Sequence, residues 1–244
     1  MNKEMTGFKD LYKEIFENNN LPQFISDELI QKFAELTAEM LRVNEYMNLT
    51  AITDTSDIIA KHYADSLLIA ESIPHGASVI DIGSGAGFPA LPLAVARPDL
   101  HITALDSTGK KTAYISDTAK LLGVNINVIN ARAEIAGHDK KHRERYDVAC
   151  ARAVAPLNVL MEYCLPFVKF GGKFIAMKGA DINTEIDDAE NAVVILGGEI
   201  AENKTFMLYQ CEVSQKRNII IIQKNKPTPI IYPRNNAQIT KNPL

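Results

Sequence analysis

The chain has 244 residues, 46% of them hydrophobic and 23% charged, with a formal net charge of -4. That length suits one α/β domain with an appendage, or two small domains, and the charge argues against a protein that coats nucleic acid nonspecifically. No run approaches the roughly 18 apolar residues of a bilayer span, the N-terminus leads into no apolar signal core, and Cys150, Cys164 and Cys211 lack metal-ligand spacing, so a cytoplasmic protein with reduced thiols and no metal is expected.

Residues 1–75 read as an N-terminal helical region. Leu29, Ile30, Phe33, Leu36, Met40 and Leu41 recur at helical spacing after Ser26-Asp27-Glu28, an N-cap followed by first-turn acids. A second helix is predicted from Asp57 to Ile73, ended by Pro74-His75-Gly76. From residue 76 short apolar runs alternate with helices. Strands are predicted at Val79–Ile82, His101–Asp106, Ile126–Asn130, Asp147–Arg152 and Lys173–Lys178, and helices at Phe88–Arg97, Lys110–Leu122, Leu157–Leu165 and Thr184–Leu196. Such alternation implies an α/β fold with a doubly wound, mostly parallel sheet. Glu199–Cys211 and Gln215–Lys224 follow without a helix between them and read as an antiparallel hairpin at the sheet edge. This second unit is expected to span 76–226. The tail, 227–244, carries Pro227, Pro229, Pro233 and Pro243 and is expected to form neither regular structure.

Charge is unevenly spread. Residues 1–60 hold eleven acids against five Lys/Arg, whereas Lys216, Arg217, Lys224, Lys226, Arg234 and Lys241 follow Glu212 with no further acid. A basic end that meets a polyanion is one reading; a solubilising tail beside a charged edge strand is the other.

The most informative stretch is Asp81-Ile82-Gly83-Ser84-Gly85-Ala86-Gly87-Phe88-Pro89, between an apolar strand and a helix start. Glycine lets the backbone adopt positive φ and approach a ligand closely, here at the N-terminus of a helix. In a doubly wound sheet, ligands lie at the carboxyl ends of the strands. The glycine turn with Gly83 and Gly85, then Asp106, then Arg132-Ala133-Glu134, then Arg152 all fall at such ends. Asp106 is placed to accept ribose hydroxyls, or to cap the helix near Lys110. The spacing D-x-G-x-G-x-G departs from the G-x-G-x-x-G of dinucleotide enzymes. Asp81, ahead of the glycines, suits an α-amino group reached directly or through water. These features favour S-adenosylmethionine over NAD.

Several short motifs, in order and spacing, resemble one family. They are Asn48-Leu49-Thr50-Ala51-Ile52, His62-x-x-Asp65-Ser66-Leu67, Asp81–Pro89, Leu105-Asp106-Ser107, Arg132-Ala133-Glu134, Ala151-Arg152-Ala153 and Lys169-x-Gly171-Gly172 leading to Lys178-Gly179. The family is the bacterial 16S rRNA guanine-N7 methyltransferase RsmG, also called GidB. The resemblance runs from about residue 40 to the end. It implies a seven-stranded, Rossmann-like class I methyltransferase sheet with a helical extension. The implied reaction moves methyl from S-adenosylmethionine to N7 of guanine 527 in 16S rRNA, without a metal. Gly83, Phe88, Ala133, Glu134 and Arg152 match cofactor contacts, and Asn48, His62, Asp65 and Arg152 match the catalytic neighbourhood. Val43, Met47 and Lys61 depart from the usual pattern of the N-terminal region.

Guanine N7 carries an exposed lone pair, so methyl transfer to it needs alignment rather than a general base. Arg152 is expected between cofactor and base, holding the methionine carboxylate, guanine O6 or a phosphate. His62 and Asp65 are expected to orient Asn48. Lys110, Lys111, Arg132, Arg143, Arg145, Lys178 and the basic C-terminus are expected to meet RNA in the 30S subunit, and nothing demands more than a monomer. The alternatives are an S-adenosylmethionine-dependent enzyme acting on another RNA or a small molecule, and an NAD oxidoreductase. The latter is disfavoured by the lack of a Tyr-x-x-x-Lys pair.

Overall fold

Two amphipathic helices, α1 (Lys3–Asn18) and α2 (Asp27–Met47), open the chain in the computed structural model, which describes residues 3–180, 182–211 and 213–244. The Ser26 hydroxyl accepts from the Leu29 amide at 3.2 Å, as an N-cap does, and Asp27 and Glu28 fill the first turn. The apolar stripe buries Ile30, Phe33, Leu36, Met40 and Val43. Phe33 meets Tyr12 of α1 and Tyr63 at ring-centroid distances of 5.5 and 4.7 Å.

The helix expected over Asp57–Ile73 is broken into pieces. A turn of α-helix, α3 (Thr55–Asp57), leads into a π-helical segment, Ile58–Ala64, then α4 (Asp65–Leu67) and a 3-10 turn, Ala70–Ser72. Ile58, Ile59, Ala60, His62, Tyr63 and Ala64 are all buried, which leaves only Lys61 of the π segment reaching outward. A segment with so little solvent face takes its winding from its neighbours rather than from local preference, and π turns are rare and concentrated at functional sites.

The sheet then builds in the expected alternation: β1 (Ser78–Ile82), α5 (Ala90–Ala96), β2 (His101–Asp106), α6 (Gly109–Leu121), β3 (Ile126–Asn130), α7 (Ala133–Ala136), β4 (Tyr146–Arg152), α8 (Leu157–Cys164), β5 (Val168–Lys178), α9 (Asn183–Ile195), β6 (Gly198–Gln210) and β7 (Val213–Lys224). Its seven strands run in the order β3-β2-β1-β4-β5-β7-β6. The first five pair in parallel, and β7 inserts antiparallel between β5 and β6. The order reverses between β1 and β4, which opens a crevice at their carboxyl ends. One face of the sheet shares an apolar core with α1, α2 and the π segment; the other packs under α8 and α9. No helix among the described residues is long and apolar enough to cross a membrane.

The C-terminal segment corrects the expectation of irregular chain throughout. Residues between Pro233 and Pro243 are free of proline and form α10 (Asn236–Lys241), where the Asn235 side chain accepts from the Gln238 amide at 3.0 Å and Ile239 is fully buried. Some basic groups in and around it are tied down, whereas Lys216, Lys226 and Lys241 are exposed. Arg143 donates to the carbonyls of Gly137, Thr228, Pro229 and Tyr232 at 2.7–3.1 Å. Arg234 grips the buried Glu162 carboxylate, with its Nη2 at 2.7 Å. Lys224 is buried and donates to the Leu165 carbonyl at 2.7 Å. Burial pushes its ammonium down to about 8.

Candidate functional site

Gly83, Gly85 and Gly87 all take positive φ, at 73°, 57° and 88°. The amides of Gly83 and Ser84 both donate to the Leu105 carbonyl, at 2.8 and 3.1 Å, which pins the turn to the end of β2. A Cβ on Gly83 would lie 2.7 Å from Val154 Cγ2, so the backbone there runs closer to its neighbour than a side chain permits. Asp106 holds the same turn: its carboxylate accepts from the Gly85 amide at 2.9 Å and from the Thr108 amide at 2.8 Å. Both oxygens keep further lone pairs. Asp106 therefore braces the turn and steadies the entry to α6 while lining the cavity above it.

That cavity, of about 500 Å³, runs along the crevice. The glycine turn, Phe88, Asp106, Lys111, Arg132, Ala133, Glu134 and Arg152 line it, and Tyr163, which the sequence reading passed over, closes one side. A second cavity, of about 520 Å³, opens on the other side of His62, Arg152 and Ala153, the three residues common to both. Its walls include Asp65, Lys178, Glu185, Arg217 and Asn218.

The partition is a stack. His62 lies flat on Phe88, with ring centroids 4.3 Å apart and planes 7° from parallel, and the Arg152 guanidinium sits 5.4 Å from the same ring. Arg152 Nη1 donates to the Lys61 carbonyl at 2.8 Å and to Asp65 Oδ2 at 2.9 Å. Asp65 Oδ1 in turn accepts from Arg217 Nε at 3.1 Å. The Arg152 and Asp65 side chains are only 15% and 9% exposed, so their pairing is shielded from water and from salt. Burial, and then the Arg152 charge, push the His62 imidazole down to about 3, and it is neutral at ordinary pH.

Asp81 lies beneath the turn and outside the cavity lining. Its Oδ2 accepts from the Ala90 amide at 3.2 Å, while Oδ1 is buried with no partner. Burial raises its carboxyl to about 7. Any ammonium held above the turn would thus be felt by Asp81 through the turn or a water. Burial also pushes the Cys150 and Cys164 thiols up, away from nucleophilic use. Among the described residues, no group of three His, Cys, Asp or Glu comes together that could hold a metal ion.

The remaining selected residues divide. Lys110 is exposed and Lys111 half-buried at the start of α6. Lys178 is committed, with its ammonium 2.6 Å from Glu185 and donating to the Ala155 carbonyl at 3.0 Å. Arg143, expected at the RNA surface, instead holds the tail. Asn48 caps α2 in the left-handed region, exposed and outside the cavity walls. His62 and Asp65 do not orient it: His62 meets Thr50, and Asp65 meets Arg152 and Arg217. The asparagine that acts on this loop is Asn44, which bonds both the N–H and the C=O of Thr50 at 3.0 Å. Its spacing from Thr50 carries no signal in a single sequence.

Comparison with known proteins agrees with this geometry. A solved structure, M. jannaschii TYW2 in complex with AdoMet, superposes with a TM-score of 0.52 at 14% identity, over 66% of this chain and 77% of that one. That likeness shows the fold, a Rossmann-like methyltransferase sheet. Relatives described as ribosomal RNA small subunit methyltransferase G are much nearer in sequence. The one from Acetivibrio thermocellus is 44% identical, covering 90% of each chain. The one from Alkaliphilus metalliredigens is 42% identical, covering 90% of this chain and 92% of its own. The family model GidB, described as rRNA small subunit methyltransferase G, matches residues 29–219, and the chain belongs to that family.

Proposed function

We propose that this chain transfers the methyl group of S-adenosylmethionine to N7 of guanine 527 in 16S rRNA, as a cytoplasmic monomer acting on the 30S subunit. The observation that carries the reading is the pair of cavities of about 500 and 520 Å³ divided by His62 and Arg152, one for a donor and one for an acceptor. Both lie within one chain, so no second subunit is required.

The donor cavity fits S-adenosylmethionine. The partnerless Oδ1 of Asp81 beneath the turn suits a nearby ammonium, and the positive-φ turn at Gly83 and Gly85 presents main chain to the cavity. When bound, S-adenosylmethionine supplies an electrophilic methyl on a sulfonium. Gly83 and Gly85 would cradle its methionine end, with Phe88 and Arg152 beside them. Asp106, Ala133 and Glu134 would hold the adenosine end. Guanine N7 brings its own lone pair and has no proton to lose, so a general base is unnecessary and positioning is the main contribution. His62 suits that task, being neutral and stacked rather than poised to take a proton. Asn48, at the exposed rim, and Asp65, as counter-ion to Arg152, support the acceptor side. Lys110, Lys111 and Arg132 supply positive charge toward the RNA backbone, whereas Lys178 is neutralised by Glu185.

The test is transfer of labelled methyl from S-adenosylmethionine to 30S subunits and to bare 16S rRNA, with mapping of the modified base. Label at N7 of guanine 527 is expected. Label elsewhere, or on a small molecule alone, overturns the assignment.

A further inference from the structure

Part of the donor cavity is held in place by a segment that lines none of it. Tyr163 closes one side of that cavity, and its hydroxyl donates to Asn236 Oδ1 at 2.5 Å, 73 positions along the chain at the start of α10. One residue before Tyr163, the Glu162 carboxylate is 1% exposed and fully taken up by Arg234. The Arg234 backbone amide and Nε lie 2.6 and 2.9 Å from Oε1, and Nη2 lies 2.7 Å from Oε2. The tail thus grips α8 at two successive side chains.

The same few residues grip α7. The Pro233 carbonyl lies 2.7 Å from His138 Nε2, and a Cβ on Gly137 would lie 3.0 Å from the Pro233 ring. Arg143 Nη1 donates to the carbonyls of both Gly137 and Tyr232, at 3.0 and 2.7 Å. Gly137 and His138 directly follow α7, whose Ala133 and Glu134 line the donor cavity. Helix α7 has only four residues, too few to hold a position by its own hydrogen bonds. Residues 232–236 therefore join, within five positions, the two helices that supply Ala133, Glu134 and Tyr163. None of the five lines the cavity, and all lie beyond residue 219, where the family model's match ends.

Resting on the reading of this cavity as the S-adenosylmethionine site, we propose that residues 232–236 are a clamp that sets the adenosine end of that site, with Asn236 as the positioning residue for Tyr163. Anchored by α8 at one end and by Asn236 at the other, the Tyr163 ring keeps one orientation, which spares a ligand the entropy of ordering it. The clamp acts on donor affinity and not on the transfer step, because the reacting methyl belongs to the end cradled by the glycine turn.

The test measures S-adenosylmethionine affinity by calorimetry and single-turnover methylation of 30S subunits at saturating donor. N236A is expected to weaken donor binding by about threefold to tenfold and to leave the saturated rate unchanged. N236D keeps an acceptor oxygen for the Tyr163 hydroxyl and should restore the affinity. Y163F removes the same bond from the cavity side and leaves the other tail contacts in place, so it should weaken binding similarly. Adding N236A to Y163F should then cost nothing more. Thermal unfolding without donor checks that each variant is folded. Unchanged affinity in N236A and Y163F, effects of the two that multiply, a loss that N236D fails to restore, or a fall confined to the saturated rate overturns the proposal. Failure of the wild type to bind S-adenosylmethionine overturns instead the reading of the cavity, and the proposal with it.

Discussion

The cradle at the strand ends and the partition across the crevice are built by different means. The cradle is main chain: Gly83, Ser84 and Gly85 are bonded to Leu105 and Asp106, twenty-odd residues away along one β-α-β unit. The partition is side chain: Arg152 reaches Asp65 over 87 positions, and Arg217 reaches the same carboxylate over 152. A main-chain cradle is sensitive to added volume and backbone angle, and indifferent to charge. A buried charge network responds in the opposite way, because removing one partner leaves the others unpaired.

Arg152→Ala should therefore have the largest effect. Loss of methyl transfer by about a hundredfold or more is expected, with donor affinity falling far less, as single-turnover rates and calorimetry would separate. Arg152→Lys retains the charge but lacks the fork that spans Lys61 and Asp65, and should recover little. If Arg152→Lys behaves like the wild type, the partition acts as a charge and not as a geometry.

Next comes Gly83→Ala, expected to weaken donor binding by about tenfold or more, since it combines a positive φ with a 2.7 Å approach to Val154. Gly85→Ala has room, with nothing nearer than 3.8 Å, and only its φ of 57° is strained, so its effect should be smaller. Equal effects in calorimetry would remove the close approach to Val154 from the explanation.

Away from both walls, Arg143→Ala should lower stability by about 2 kcal/mol in denaturant titration. It should leave the salt dependence of RNA binding unchanged, whereas Lys110→Ala should reduce that slope by about one. A reduced slope in Arg143→Ala would return the tail region to the RNA surface.

The last expected effect is pH-linked. Burial raises the Asp81 carboxyl from 3.8 to about 7, so the native state holds this proton more tightly than the unfolded chain. Its contribution is present at pH below the unfolded value and is lost as pH rises from about 4 to about 7. Asp81→Asn should remove that dependence, gaining on the wild type by about 2 to 3 kcal/mol between about pH 5 and about pH 8 in parallel denaturations. A constant difference across that range would mean that Asp81 is ionised throughout.

The basic C-terminus shows how sequence and structure part company. Six cations without an acid after Glu212 invite a polyanion. Folding brings Glu162 to Arg234, Asp65 to Arg217 and Glu144 within 3.5 Å of Lys224, acids that lie far upstream in the chain. Charge runs count neighbours in sequence, whereas neutralisation depends on neighbours in space. The same blindness put a single helix across the π segment, since spacing shows which residues are apolar but not that nearly every face is covered.

The order of strands and helices and the position of the glycine turn were set by the sequence alone, because hydrophobic period and the absence of a Cβ act over a few residues. So was membership of a methyltransferase family, carried by motifs that each lie within one short stretch. Which donor faces which acceptor was decided only by tertiary structure. Asn44 rather than Asn48 holds the loop, His62 shares a hydrogen bond with the Thr50 hydroxyl, and Asp65 joins Arg152 to Arg217. Those bonds exist because the N-terminal helices pack against the sheet and bring their buried polar groups within reach of its strand ends.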